Sequence, residues 1–599
     1  MKSKRIISRV IFIFFSALLL LLMLTVLELN KNTVLGFVLA AFAAAAFFMG
    51  YRLVKIRRNK WYLKLALWVG WVAAFAGVLF LTWPPVRAVP AVKVKNPAKT
   101  EVRTVAQGQV QGVFNADKSV EVYTGIPYAQ PPVGELRWKE PQDPKPWSGV
   151  LAANKFAPMS MQPSNLPIYD SLVQIIGYHD YRISLDDNYT PPMSEDSLYL
   201  NIWKPAGDSE HLPVLVYIHG GSLQTGQPWY ADYSGEGLAR EGVIVVNMGY
   251  RLGVFGYYAN EELAAESPNG TTGNYGLLDQ IKALEWVKRN ITSFGGDPAN
   301  VTLAGESAGA ASVSALCTSP LAKGLFKRVI LESSTVASVN PPHSFRTMDD
   351  ALEAGQKTMR QLNCSSVAQL RKLSAKELVA QASNHHHMTV DGYALTETPY
   401  ESYQKGIHNE QAILHGYNEE ESAAFIVFDH AKLSNYESKV RGYFKDSADD
   451  ILDLYPAKSD AEADRNWAEI YGAVFFDYPH YCLNRLAVKN DIPVYEYLFA
   501  KTNGRLGNWH SGEEVYCYGN IPGDSRLYDS RDRELSAEMV GYWKNFITTG
   551  DPNGGGLPQW EKNTGSDRVM YFGGDTEMRD EKEHALFAVL DKMDGWKQQ

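Results

Sequence analysis

The chain has 599 residues, of which 45% are hydrophobic and 21% charged, with 48 Gly, 30 Pro and 4 Cys; this excludes a disulfide-stapled miniprotein and a disordered or fibrous chain. The net charge of -9 is unevenly spread, because residues 1–99 hold 15 Lys or Arg against one acid, Glu28, and the remaining 500 hold 43 basic against 66 acidic residues. A body with a net charge of -23 repels phosphate backbones, so a nucleic-acid partner is not expected.

Three apolar runs open the chain, at residues 10–27, 34–51 and about 62–83. Each has about the length needed to cross 30 Å of hydrocarbon, where an unpaired backbone amide finds no partner, and each is predicted as a transmembrane helix. A cleaved signal peptide is the competing reading of the first run, but its apolar stretch is long, no A-x-A site follows, and two more spans come after it. Lys2, Lys4, Arg5 and Arg9 precede the first span, and Arg52, Lys55, Arg57, Arg58, Lys60 and Lys64 lie between the second and third, against Lys31 alone in the first connector. The excess of basic residues places the N-terminus in the cytoplasm and everything after Trp83 on the outer face. Trp61, Tyr62, Trp68, Trp71 and Trp83 suit either the membrane interface or packing between helices. Residues 1–83 are therefore expected to be a membrane anchor in contact with the lipid bilayer. Residues 84–99, interrupted by Pro84, Pro85, Pro90 and Pro97, read as an extended tether, and residues 100–599 as the large domain.

Within that domain strand and helix patterns alternate. PVLVYIH at 213–219 and VIVVNMG at 243–249 are short, β-branched and nearly continuous in apolar character, as expected of strands covered on both faces. Residues 277–292 carry apolar side chains at helical spacing, and 301–304 is another strand-like run that ends on glycine. The pattern is that of an α/β protein with a largely parallel central sheet.

The glycine after that run opens GESAG, a G-x-S-x-G spanning residues 305–309. Its glycines permit a strained strand-to-helix turn that presents Ser307, and the small residues that follow suit the helix behind it. Upstream, His219, Gly220, Gly221 and Ser222 follow a predicted strand, where backbone N–H groups can converge on a developing oxyanion together with that of Ala308, the residue after Ser307. A serine hydroxyl needs a base to take its proton and an acid to hold the base. In the order Ser, acid, His the candidate acids are Glu419, Glu420 and Glu421, and the candidate bases are His430, His480, His510 and His584. Spacing does not choose among them.

The body resembles the type-B carboxylesterase and cholinesterase family of α/β-hydrolases. The resemblance is carried by GIPYAQPPVGELRW at 125–138, SEDSLYLNIW at 194–203, YRLGVFGY at 250–257, GNYGLLDQIKALEWVKRNI at 273–291, FGGDPANVTLAGESAGA at 294–310 and TGDPNGGGLPQW at 549–560. It implies an α/β-hydrolase fold and a serine carboxylesterase that acts on a small-molecule ester through an acyl-enzyme, with no cofactor and no metal. It implies Ser307 as nucleophile, His510 as general base, from its H-x-x-E-like segment, and Glu421 as the acid, three residues after Asn418 of a G-x-N motif. The oxyanion donors it implies are the amides of Gly221, Ser222 and Ala308, with Ser222 standing where many members have a third glycine. Glu419 and Glu420 are then solvated neighbours, and Arg137 with Glu195 resembles a structural ion pair of the family. Ser197 replaces a loop cysteine of the family, and Cys317, Cys364, Cys482 and Cys517 are expected to be free thiols. His385, His386 and His387 are consecutive and are not expected to hold a metal. Asn269 and Asn290 fit the glycosylation pattern. Two other readings stand beside the esterase: a catalytically silent adhesion protein on the same fold, and a lipase-like enzyme that meets amphipathic esters at the bilayer.

Overall fold

A computed structural model describes residues 2–57, 60–84, 91–92, 94–163, 192–338, 345–382, 387–427, 429–502, 506–523, 525–565, 568–580 and 585–593, without the side chains of 2–9 and 56–57. Residues 85–90 and 93 of the expected tether, and also Arg58, His385, His386 and His584, lie outside the described residues. The described chain divides into two compact units, one holding the three N-terminal helices and the other the described parts of Val89–Pro163 and Met193–Gln599.

In the first unit the three apolar runs form helices Lys2–Leu29, Val34–Arg57 and Trp61–Leu81. Their membrane-length stretches are Val10–Leu29, Val34–Lys55 and Trp61–Leu81. Trp68 and Trp71 pack between helices, Trp71 stacking on Phe47 at 4.4 Å, whereas Trp61 and Tyr62 are exposed. At one end Asn32 donates from Nδ2 to the Leu79 carbonyl at 2.7 Å and to Thr82 Oγ1 at 3.0 Å. These side-chain bonds pin the first connector to the end of the third helix.

The second unit is built on a thirteen-stranded sheet. In spatial order its strands are Lys99–Val105, Gly108–Phe114, Val120–Pro127, Tyr199–Pro205, Ile244–Met248, Leu212–Ile218, Gly296–Glu306, Arg328–Glu332, Ile413–Asn418, Val494–Phe499, Arg568–Phe572 and Thr576–Asp580, with Val150–Ala152 paired to the second. From Ile244–Met248 to Arg568–Phe572 all neighbours run parallel, while the flanking strands are antiparallel. Ala91 and Val92 already lie along Lys155 and Asn154.

The continuous apolar strands follow from cover on both faces. Val214, Val216 and Ile218 face one core with Leu277, Leu284 and Val313, and Leu215 and Tyr217 face a second core with Leu535, Trp543 and Phe546. Helices Tyr275–Asn290 and Ala308–Thr318 lie against the first core and Ser530–Thr549 against the second. The loops that leave the carboxyl ends of the parallel strands meet along one edge, where a sheet of this kind forms its sites.

The four cysteines are free thiols. The Arg137–Glu195 pair is bidentate, with Nε to Oε2 at 2.7 Å and Nη2 to Oε1 at 2.6 Å. Asn269 is exposed, but Asn290 is buried and bonded through both amide atoms, so it is closed to modification. Ser197, where the family carries a loop cysteine, meets Ser160: the buried hydroxyls lie 2.9 Å apart, and Ser160 donates onward to the Tyr250 carbonyl at 2.6 Å. A hydrogen bond across 37 positions thus ties strand Met159–Ser160 to the loop just before strand Tyr199–Pro205, a link that a covalent bridge would hold more firmly. The double variant Ser160→Cys/Ser197→Cys should form a disulfide and gain about 3–4 kcal/mol against denaturant, lost on reduction, by the loop-entropy rule; equal midpoints with and without reductant would mean that the two positions do not meet.

Candidate active site

Ser307 stands between strand Gly296–Glu306 and helix Ala308–Thr318 with φ 54° and ψ -126°, outside the regions favoured by a residue with a side chain. Close packing imposes this turn. A Cβ on Gly309 would lie 2.0 Å from the Ile218 carbonyl oxygen, and one on Gly305 would lie 2.6 Å from the Gly309 carbonyl carbon. The Ser307 N–H donates to the Glu332 carbonyl at 2.9 Å, so the next strand also holds the turn. Glycine is therefore required on both sides of a serine raised at the strand end.

The strand Leu212–Ile218 ends beside it. Gly220 approaches so closely that a Cβ there would be 3.0 Å from Ser307 Cβ, and Gly221 has φ 101°. Among the described residues the backbone N–H groups of Gly221, Ser222 and Ala308 donate to nothing. Three open donors beside one hydroxyl are suited to an anionic oxygen. His219 is no part of that chemistry: its ring stacks on Tyr250 at 4.6 Å, Nδ1 lies 2.9 Å from the Gly220 carbonyl, and burial pushes the imidazole down to about 4, so it is neutral.

A further strand end supplies the acid. Asn418 closes strand Ile413–Asn418, and its N–H donates to Glu421 Oε1 at 2.8 Å. Glu421 is buried, and its Oε2 lies 2.5 Å from His510 Nδ1. Glu419 and Glu420 are exposed. The Asn418 amide also donates to Glu513 Oε2 at 2.6 Å, and Glu513 Oε1 accepts from Ser333 at 2.8 Å and from Tyr497 at 3.1 Å. Asn418 thus ties two buried carboxylates together and fixes which way each points.

His510 is buried between two aromatic rings, Phe425 at 5.0 Å and Phe476 at 5.2 Å. Phe476 sits in a single π-helical turn, Ala473–Asp477, just before Pro479, whose missing N–H removes a regular helical bond. Beyond the pair with Glu421, His510 Nε2 lies 3.2 Å from Glu306 Oε1. That contact lacks hydrogen-bond alignment, and Glu306 Oε1 accepts instead from Ser511 at 2.6 Å. Burial alone would depress the His510 imidazolium, but the carboxylates of Glu306 and Glu421 outweigh it and raise it to about 9. Burial in turn pushes Glu306, Glu513 and Glu514 upward, and Glu332 up to about 8.

Of the residues singled out from the sequence, the structure joins Glu421 to His510 directly and sets Ser307 against the Gly220–Ser222 turn, next to the Glu306 that meets His510. No hydrogen bond links Ser307 to His510 among the described residues, because Nε2 faces Glu306. The other candidate bases are elsewhere: His430 pairs with Asp464 at an exposed site, and His480 is buried against His415 with Nδ1 atoms 2.7 Å apart. Glu306, Ser511, Phe425 and Phe476 had no sequence signal of their own, although Glu306 is the variable position inside GESAG.

Residues 99–588 match the carboxylesterase family. The chain is 32% identical over 536 residues to the fumonisin B1 esterase of Sphingopyxis macrogoltabida, covering 85% of this chain and 93% of that protein. It is 31% identical over 472 residues to the para-nitrobenzyl esterase of Bacillus subtilis, covering 76% and 91%. Among solved structures a PNB esterase superposes with a TM-score of 0.69 at 28% identity, covering 82% of this chain and 99% of that one.

Proposed function

We propose, from the premise that this chain belongs to the carboxylesterase family and is a serine ester hydrolase of its type-B class, that Ser307, His510 and Glu421 carry the reaction in a domain anchored to a membrane. The observation that carries this reading is the buried contact between Glu421 Oε2 and His510 Nδ1 at 2.5 Å, held beside the strained turn of Ser307. The Ser307 oxygen attacks the ester carbonyl carbon, and its proton passes to His510 Nε2. Negative charge gathers on the carbonyl oxygen, where the amides of Gly221, Ser222 and Ala308 stabilise it. His510 returns the proton to the departing alkoxide, and water, deprotonated in the same way, releases the acid from the acyl-enzyme. Glu421 keeps Nδ1 protonated and stabilises the imidazolium that each step forms. Ser307→Ala should lower hydrolysis of p-nitrophenyl acetate at least about a thousandfold, and Glu421→Gln by about 10³–10⁴-fold, both in kcat; wild-type rates in either variant would refute the assignment.

A base must be neutral to accept a proton, and Glu306 and Glu421 hold the His510 imidazolium up to about 9. Activity should therefore rise with pH toward a plateau above that value. Glu306→Gln removes an anion that favours the charged ring, so the midpoint of kcat/KM against pH should move down by about one unit or more. An unmoved midpoint would mean that Glu306 does not act on His510.

The apolar helices Val10–Leu29, Val34–Lys55 and Trp61–Leu81 support anchoring, and the distribution of Lys and Arg supports a cytoplasmic N-terminus with the esterase outside. A reporter active only outside the cytoplasm should work when fused after Trp83 and fail when fused after Lys60; the opposite pattern would put the esterase in the cytoplasm.

A further inference from the structure

The turn that faces Ser307 carries an expense its sequence does not explain. Ser222 has φ 56° and Leu223 φ 58°, and the Gly221 carbonyl accepts from the Gln224 N–H at 2.9 Å. Two successive positive φ values closed by such a bond make a turn that ordinarily needs Asn-Gly or Gly-Gly, because a Cβ disfavours the left-handed region. Here the two residues are Ser and Leu. Leu223 has compensation elsewhere: its side chain is buried in the core, and its carbonyl accepts from the Gly253 N–H at 2.7 Å. Ser222 has none. Its side chain is exposed and makes no hydrogen bond among the described residues, yet it holds its strained conformation two residues after Gly220, which presses against Ser307. A side chain held under strain, unpacked and unbonded beside a reacting centre, is free to meet a group that arrives with the substrate.

We propose that the Ser222 hydroxyl is a catalytic donor: its Oγ–H gives a hydrogen bond to the substrate's carbonyl oxygen as that oxygen becomes an anion, adding a side-chain donor to the amide of the same residue. The step transfers no proton and leaves Ser222 unchanged after each turnover. A hydroxyl in this place acts in the transition state more than in the ground state, because the charge it meets develops only on attack. The proposal rests on Ser307 as the nucleophile.

The test uses the full chain in detergent with p-nitrophenyl acetate, comparing wild type with Ser222→Ala and Ser222→Gly, and with Ser307→Ala in parallel. Both Ser222 variants should lose about 10–100-fold in kcat with KM within about twofold of wild type. Ser222→Gly relieves the left-handed strain and should unfold at or above the wild-type temperature, so its loss of rate cannot come from misfolding. A Ser222→Gly enzyme as fast as wild type would overturn the proposal, and so would a raised KM with unchanged kcat, which places the hydroxyl in ground-state binding. An active Ser307→Ala variant would instead overturn the nucleophile assignment, so the two failures are distinguishable.

Discussion

The site depends on one short contact, Glu421 Oε2 to His510 Nδ1 at 2.5 Å. Burying a carboxylate and an imidazole out of water is costly unless they meet each other with their remaining atoms satisfied. The surroundings meet that condition for the acid, since Asn418 fixes Glu421 from its backbone and also supports Glu513. For the ring, Nε2 has no hydrogen-bond partner among the described residues, and Glu306 offsets its burial by charge from 3.2 Å. Both carboxylates favour the charged form of the ring. In the proposed mechanism the ring acts as a base once its Nε2 proton leaves and Nε2 turns from Glu306 to the serine.

The fold makes this arrangement reproducible. Seven neighbouring parallel strands end along one edge, and consecutive ends deliver the Gly220–Ser222 turn, Ser307, Ser333 and Asn418 with fixed spacing. Because both faces of the sheet are covered, the strands cannot slide to accommodate a badly placed loop. Strain collects where the strands let go, at Ser307 and at the Ser222–Leu223 turn, and surrounding glycine contacts hold it there. The N-terminal helices form their own unit, stabilised by the aromatic stack of Phe47 on Trp71 and by Asn32.

Much of this was legible in the sequence. The runs 213–219 and 243–249 became strands Leu212–Ile218 and Ile244–Met248, and the helical spacing of 277–292 became Tyr275–Asn290. The G-x-S-x-G stood out because both of its glycines answer to close contacts that tolerate nothing larger. The acid and the base did not stand out. Glu419, Glu420 and Glu421 are adjacent and chemically identical, and what separates them is the direction in which the chain leaves strand Ile413–Asn418, a property of sheet register. His480 and His510 likewise differ only in what the fold puts beside them, His415 in one case and Glu421 in the other. Glu306 was invisible because its position in the motif tolerates many residues, and its role arises from a loop some two hundred positions later. The indoles of the third helix could not be divided between interface and packing until a neighbouring helix supplied Phe47.

The most direct measurement is mass spectrometry of peptides after reaction with a fluorophosphonate, which bonds only to a hydroxyl that has been made nucleophilic. The account predicts one adduct per chain, on Ser307, formed at least about a thousandfold more slowly when His510 is replaced by Ala. An adduct on another residue, no adduct at all, or labelling indifferent to His510 would contradict it.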